Sequence, residues 1–316
     1  DVKKRARRLG SLLMALNKTE FTSFNYSGPL LLEQLGIDQS FTWHTNHKFR
    51  SLSEDLPNLT TEDHRDPSTQ ISELASQSDE YIQKIQSRLI EELEKLDREV
   101  LEAVNLSDEL REVIQEEVST QTPAKEGYEG EIEYLVDIPE TTEENLGKNL
   151  LLNFALDSVV ESEDGVVPIT FDSDSEPVLL DLIKDRFEEV FGRYATDRMF
   201  EVDQILGNES PEEESYPNIR RWIENELFEY HIETFENTPI MWEITTENLV
   251  SDADRVGFSC LVDYHQLNAS IFDKISNQYI EPQKAAIREK RSVANRRRSN
   301  DDLTTAEKAK AAENYN

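Results

Sequence analysis

The sequence predicts an α+β fold, mostly helical: a long antiparallel helical spacer, then a small C-terminal module with a short β-sheet packed on helices. Three observations carry this expectation. From Ile71 to Val104, the residues Ile71, Leu74, Ile82, Ile85, Leu89, Leu93, Leu96 and Val100 keep to three- and four-residue steps, with Glu, Lys and Arg among them. That rhythm is one apolar stripe on a helix of about 50 Å at 1.5 Å per residue. From Ile219 to Pro282 the apolar spacing changes from helical to alternating and back again. Finally, hydrophobic residues are 37% of the chain and charged residues 31%, so much of it must be solvated helix around a compact core.

At the start, Lys3, Lys4, Arg5, Arg7 and Arg8 precede Leu9, Leu12, Leu13 and Leu16, an amphipathic helix with a basic opening. The basic run is a candidate phosphate contact, and the competing reading is a solvated helix face. Residues 20–68 look like loop with scattered aromatics. His44 and His47 have the i, i+3 spacing of a metal pair, but no Cys or further His lies nearby, so no metal is expected. Along the spacer, Glu92-Leu93-Glu94-Lys95 reads as a solvated charge face. Asn105 and Ser107 break the spacer, Asp108 to Glu117 restart a shorter helix, and residues 119–148 form an acidic, exposed insertion.

From Asn149 the pattern is globular. Leu150, Leu151, Phe154, Ala155 and Val159 share one helical face, and a second helix carries Leu179, Leu180, Ile183, Phe187, Val190 and Phe191, with Ser175 as N-cap and Gly192 at its end. A polar loop, 208–217, leads to a helix with Ile219, Trp222, Ile223, Leu227, Phe228, Ile232 and Phe235 on one side. Pro239 ends it, and Ile240, Trp242 and Ile244 alternate as a strand does. A second strand places Phe258, Cys260, Val262 and Tyr264 on one face, and a closing helix carries Ile271, Phe272, Ile275 and Tyr279. Trp222, Trp242, Phe258 and Tyr264 are the expected structural core. Cys260, the single cysteine, excludes an internal disulfide and reads as a core residue. His265, beside Asp263 and Tyr264, reads as a packed or rim histidine, because no nucleophile or metal set accompanies it. Beyond Pro282, a second basic cluster ends in Arg296, Arg297 and Arg298 on a helix that loses its apolar face; residues 299–316 are expected to be disordered.

The formal charge of −33 over 316 residues is a large self-repulsion, tolerable where salt screens it. With Arg outnumbering Lys, 19 to 14, the composition fits a salt-accumulating organism such as a haloarchaeon. No apolar run approaches about 18 residues and no signal peptide is present, so the expected location is the cytoplasm. The chain starts without Met and within a helical pattern, which suggests a fragment of something longer.

Thr238-Pro239-Ile240-Met241-Trp242, then Gly257 to Leu267, then Tyr279-Ile280-Glu281-Pro282 resemble the C-terminal region of PglX-type proteins, the adenine-specific DNA methyltransferases of BREX phage-defence systems and their type II restriction–modification relatives. Asp164-Gly165-Val166-Val167-Pro168-Ile169 and the helix Val178 to Phe191 are similar to the segment before that region. Asp97 to Leu110 resembles the family's helical spacer, and Ser40 to Trp43 its preceding Ser-Trp region. The likeness covers most of residues 10–285, in the family's order. Met241, Asp263 and Gln266 depart from it, standing where an aromatic, an aromatic and an Arg are usual, and Ser270-Ile271-Phe272 replaces an Asp-Thr-Leu.

The resemblance implies that residues 1–68 are the tail of an upstream, target-recognition-like domain and 69–148 a helical spacer with its acidic insertion. It makes 149–285 the C-terminal α+β module and 286–316 a basic tail. It implies S-adenosylmethionine as the whole protein's cofactor, bound upstream, and double-stranded DNA and other BREX proteins as partners. The chain itself has no glycine-rich cofactor turn and no polar-Pro-Pro-aromatic loop for a flipped base, so no catalytic or cofactor residue is expected in it. Two other readings stay open: a non-enzymatic helical interaction scaffold, suggested by the long stripe, and an acidic DNA mimic, suggested by the charge. Against the mimic, the two basic clusters hold 12 of the 33 bases.

Overall fold

A computed structural model describes residues 5, 8–10, 12–13, 66–104, 107, 109–110, 112–113, 141–170, 178–209, 216–235, 239–246 and 257–298. His44, His47, Ser175, residues 119–140 of the expected acidic insertion and residues 299–316 lie outside them; the end of that insertion, 141–148, is not exposed loop but opens a helix in which Leu146 is buried. The fold is mostly helical with one small antiparallel sheet, an α+β arrangement. The chain forms two compact units, residues 1–154 with 186–219, and residues 155–185 with 220–316. This grouping joins the N-terminal residues to the spacer.

In the first unit the spacer is one helix, α1 (Ile71–Val104). Its buried side follows a heptad rhythm: Ile71, Ser78, Ile85 and Glu92 at one position, Ala75, Ile82 and Leu89 at the other. Ser78 is tolerated because its hydroxyl donates to the Leu74 carbonyl at 2.8 Å. The apolar stripe then runs out of cover: Val100 and Val104 are 42% and 59% exposed. The N-terminus of α1 is tied to α4 (Ala195–Leu206), where Glu201 accepts the Ile71 N–H at 2.8 Å and the buried Arg198 pairs with Glu201 at 3.0 Å and donates to the Thr69 carbonyl.

Helices α2 (Glu143–Glu161) and α3 (Leu179–Phe191) bring Phe154, Phe187 and Phe191 together; Phe154 meets Phe187 edge-on at 5.3 Å and Phe187 stacks on Phe191 at 5.5 Å. Gly192 follows α3 with φ of +55°, as a glycine after a helix end can. The buried Asp203 of α4 accepts two backbone N–H groups at the start of α5 (Pro217–Asn225), from Asn218 and Ile219, each at 2.9 Å, and a third bond from Asn218 Nδ2 at 3.0 Å. The carboxylate thus caps a helix that begins fourteen residues later in the chain.

The second unit holds the sheet, ordered β1–β3–β2, from β1 (Val166–Thr170), β2 (Met241–Thr245) and β3 (Ser259–Asp263). Both alternating stretches of the sequence are strands, paired antiparallel with Trp242 opposite Val262 and Ile244 opposite Cys260. β1 is a third strand beyond the two that the sequence predicts, and Pro168 lies within it. As an edge strand it can carry a residue without an N–H, and its register shifts between Pro168 and Thr170. On one face Val166, Phe258, Cys260 and Val262 meet Ile271, Ile275 and Tyr279, with Ile244 and Ile280 packed beside them.

Two expected core residues are corrected. Trp222 and Phe258 are buried, but Trp242 is 40% and Tyr264 51% exposed. Trp242 sits on the other edge strand, on the side of Val262 and Ile244 but where cover is incomplete, while Met241 on the opposite side is fully buried; the Trp242 ring lies 6.5 Å from Phe228 at the flank of α6 (Leu227–Thr234). Tyr264 leaves the sheet face because a 3-10 turn, Tyr264–Gln266, begins there, capped by Asp263 Oδ1 accepting the His265 N–H at 2.9 Å. Phe272, expected on the inner side of the closing helix, is 60% exposed. That helix is a short α7 (Ile271–Lys274), a π-helical turn (Ile275–Ile280), then α8 (Glu281–Arg298). The buried residues Ile271, Ile275, Tyr279 and Gln283 recur every four positions, which in an ideal α-helix drifts by about 40° per step; the wider π-turn takes up that drift.

Candidate nucleic-acid interface

Of the first basic cluster, Arg5 is turned inward. Glu92 and Glu99 occupy the same heptad position as Ile85 on α1, and Arg5 fills the place facing them. It donates to Glu92 Oε2 at 2.7 Å through Nη1, and to Glu99 Oε1 at 2.6 Å through Nη2 and 3.1 Å through Nε. Arg8 approaches Glu92 at 3.8 Å. The order of these contacts runs the N-terminal segment antiparallel to α1. The hydrogen bonds from Arg5 hold the Glu99 carboxyl below its usual range, and the same bonds, accepted by Glu99 and Glu92, raise the Arg5 guanidinium above its own. Glu92 is therefore not part of a solvated charge face: it is 2% exposed. Arg5 is spent on carboxylates, and a DNA phosphate would have to displace both. Lys3, Lys4 and Arg7 lie outside the described residues.

The second basic cluster faces water. α8 continues from the π-turn without a break, and past Gln283 its described side chains are exposed or half-exposed. Arg296 is exposed; Arg297 and Arg298 close the helix, and their side chains lie outside the described residues.

Between these ends lies a polar junction that joins distant stretches of the second unit. Asp164 Oδ1 accepts the Val166 N–H at 3.1 Å and the Ser162 hydroxyl at 3.0 Å, while its Oδ2 accepts the Tyr279 hydroxyl at 2.8 Å. Lys274 Nζ donates to the Asp164 carbonyl at 3.3 Å. Gly165, at φ +69°, accepts the Asp263 N–H on its carbonyl at 2.9 Å, and a Cβ there would stand 2.7 Å from the Gln266 side chain. Only glycine fits, on both conformational and steric grounds.

Two buried groups titrate away from their usual ranges. His231 of α6 is fully buried between Phe228 and Phe235, ring centroids at 6.0 and 5.1 Å; its Nε2 accepts the Ile240 N–H at 3.2 Å and Nδ1 has no partner. Burial pushes its pKa down to about 4, so the ring is neutral with its proton on Nδ1. Sequence reading passed over this histidine; its signal was a His at i+4 from Leu227 and i−4 from Phe235. Burial likewise pushes the Cys260 thiol up to about 12, the environment of an inert core cysteine. His265 stands at the rim of the sheet, its ring 5.7 Å from Tyr264. Among the described residues no group of three His, Cys, Asp or Glu side chains is placed to hold a metal ion. No described helix is long and apolar enough to cross a membrane. No protein-family model matches this chain, and no curated protein matches it.

Proposed function

We propose that this chain is the non-catalytic C-terminal part of a site-specific adenine DNA methyltransferase of the BREX phage-defence type, working in the cytoplasm. It would give structural support and contacts to duplex DNA or to other BREX proteins. The observation that carries this reading is the junction at Asp164 and Gly165. The stretches that resemble the PglX-type C-terminal region, near residues 164–169, 257–267 and 279–282, are far apart in sequence yet bonded to one another here. A shared architecture needs that coherence, whereas chance likenesses would scatter over the surface.

Gly165, a described glycine next to a strand, does not offer the close backbone approach that S-adenosylmethionine needs. Gly165 precedes its strand, and the space at its Cα is filled by Gln266. An upstream domain would hold the cofactor. A second reading, a helical interaction scaffold, draws on one feature, the uncovered end of the α1 stripe at Val100 and Val104.

The test uses the longer reading frame that contains this segment. The expected result is N6-methyladenine in duplex DNA incubated with that protein and S-adenosylmethionine, read by mass spectrometry. A frame that encodes no longer protein, or a longer protein that leaves adenine unmethylated, overturns the reading.

A further inference from the structure

We propose that residues 264–272, where β3 turns into α7, form a self-docking surface on which a second copy of this chain seats the same stretch. Its composition is unlike the rest of the protein. Charged residues are 31% of the chain, so a run of nine would ordinarily hold about three; from Tyr264 to Phe272 there is no Asp, Glu, Lys or Arg. Asp263, just before the run, is buried and accepts the His265 N–H, and Asp273 and Lys274, just after it, are one of each sign. Yet the run is on the surface. All of it is exposed except the half-buried Gln266 and the buried Ile271, and it presents Tyr264, Leu267 and Phe272 at 51%, 39% and 60% exposure.

Two tight turns hold these side chains near one another. The Leu267 N–H donates to the Tyr264 carbonyl at 3.3 Å, and the Ile271 N–H to the Asn268 carbonyl at 3.1 Å. Each such turn keeps the Cα atoms it spans within about 7 Å. Ile271 anchors the far end in the core cluster of Val262 and Cys260. The polar groups between are matched within the run: Asn268 Nδ2 donates to the Gln266 carbonyl at 2.8 Å, and Oδ1 accepts the Ser270 N–H at 2.9 Å and the Ser270 hydroxyl at 2.6 Å. Groups already bonded to one another lose little on leaving water. What remains to be covered is aromatic and aliphatic area, the kind that anchors protein interfaces.

The occupant follows from charge. A basic partner would be drawn by a total of −33 toward the acidic helices, not toward a run that offers it no charge. A second copy is constrained in the opposite way. A two-fold contact sets a patch against itself, so any charge in it meets its own sign. An uncharged aromatic patch lets two copies touch without that penalty. The area is modest: at about 150–250 Å² per aromatic side chain, the exposed parts of Tyr264 and Phe272 come to roughly 100 Å² each. A standard interface takes about 800 Å² from each partner, so this dimer is a weak one. Salt gives it a signature, because two bodies of −33 repel and that repulsion fades as the Debye length falls from about 10 Å at 0.1 M to about 3 Å at 1 M. The inference stands apart from the proposed function and does not rest on it.

The experiment is sedimentation of the whole chain at rising concentration, in about 0.1 M and about 1 M potassium chloride. Beside it run a double variant, Tyr264→Ser with Phe272→Ser, and a single variant, Ala269→Glu, which sets like charges across the two-fold contact. The expected result is a monomer–dimer equilibrium about tenfold tighter at the higher salt, lost in the double variant and weakened by Ala269→Glu at the lower salt. Circular dichroism melts check the fold; should the double variant melt early, Ala269→Glu, an exposed position where no contact is removed, decides alone. A parent that stays monomeric at both salts up to about 1 mM overturns the proposal. So does a dimer that both variants keep, or an assembly that grows past two copies, since a two-fold contact closes on itself. A dimer that loosens as salt rises overturns it too, as that marks the bases of α8 set against acidic helices of a neighbour.

Discussion

Lowering the pH from 7 to 5 should destabilise this protein through one side chain, His231. Neutral, it accepts the Ile240 N–H and thereby ties α6 to the start of β2; protonated, it would lose that acceptor and place a charge between two phenyl rings. Its pKa is about 4 in the folded chain against 6.5 when exposed. The unfolded chain therefore takes up the proton first. The stabilisation is complete above about pH 6.5 and is lost as pH falls from there toward 4. Linkage over those two values gives a loss of about 2 kcal/mol between pH 7 and pH 5. Carboxylates contribute their own slope, so the measurement is a difference: urea unfolding at both pH values, at constant salt, for the parent and for His231→Gln. Glutamine can still accept from Ile240 but does not titrate. The parent should lose about 2 kcal/mol more than the variant. Equal losses, within about 0.5 kcal/mol, would show that the ring is hydrated or already charged in the folded state.

Trp222→Ala should cost about 3–5 kcal/mol in thermal or denaturant unfolding, since it empties a fully enclosed site; Trp242→Ala, half-covered on an edge strand, should cost under half as much, and equal costs would contradict that difference in burial. Gly165→Ala should destabilise by about 1–2 kcal/mol from backbone conformation alone, with a further steric part. Adding Gln266→Gly should recover the steric part only, and full recovery would mean that the backbone there is not left-handed. Tyr279→Phe removes one hydrogen bond to a carboxylate and should cost about 1.5–3 kcal/mol by the same assay. Calorimetry on this chain alone should show no binding of S-adenosylmethionine; a micromolar dissociation constant would place a cofactor site inside it.

What could be read from the residues was what a single element announces by itself. The stripe of α1, the alternation in β2 and β3, and the apolar faces of α2 and α3 all lie within one window of sequence, and each is a helix or strand. Facing partners were harder. Val166 to Thr170 is a strand whose place at the sheet edge accommodates Pro168, and that place depends on pairing with residues some ninety positions away. Trp242 and Tyr264 alternate correctly with their neighbours, yet alternation names two faces and does not say where cover stops. The junction at Asp164 was visible only as a resemblance, because its bonds to Asp263, Lys274 and Tyr279 span about a hundred residues. The carboxylate partners of Arg5 were hidden for the same reason: a run of bases announces attraction to negative charge without saying whether the charge is a phosphate or a glutamate of the same chain.

The glutamates of the α1 heptad also decide what that helix can pair with. A seam of Ile and Leu alone would accept another copy of itself, at the risk of uncontrolled bundling. With Glu92 and Glu99 in line with Ile71 and Ile85, two copies of α1 laid in parallel register would bury like charges against each other. Only a strand of helix that brings a cation to that level, as the N-terminal segment does with Arg5, completes the seam. The acidic residues thus disfavour the parallel, in-register pairing of two α1 helices that the flanking apolar residues would otherwise invite.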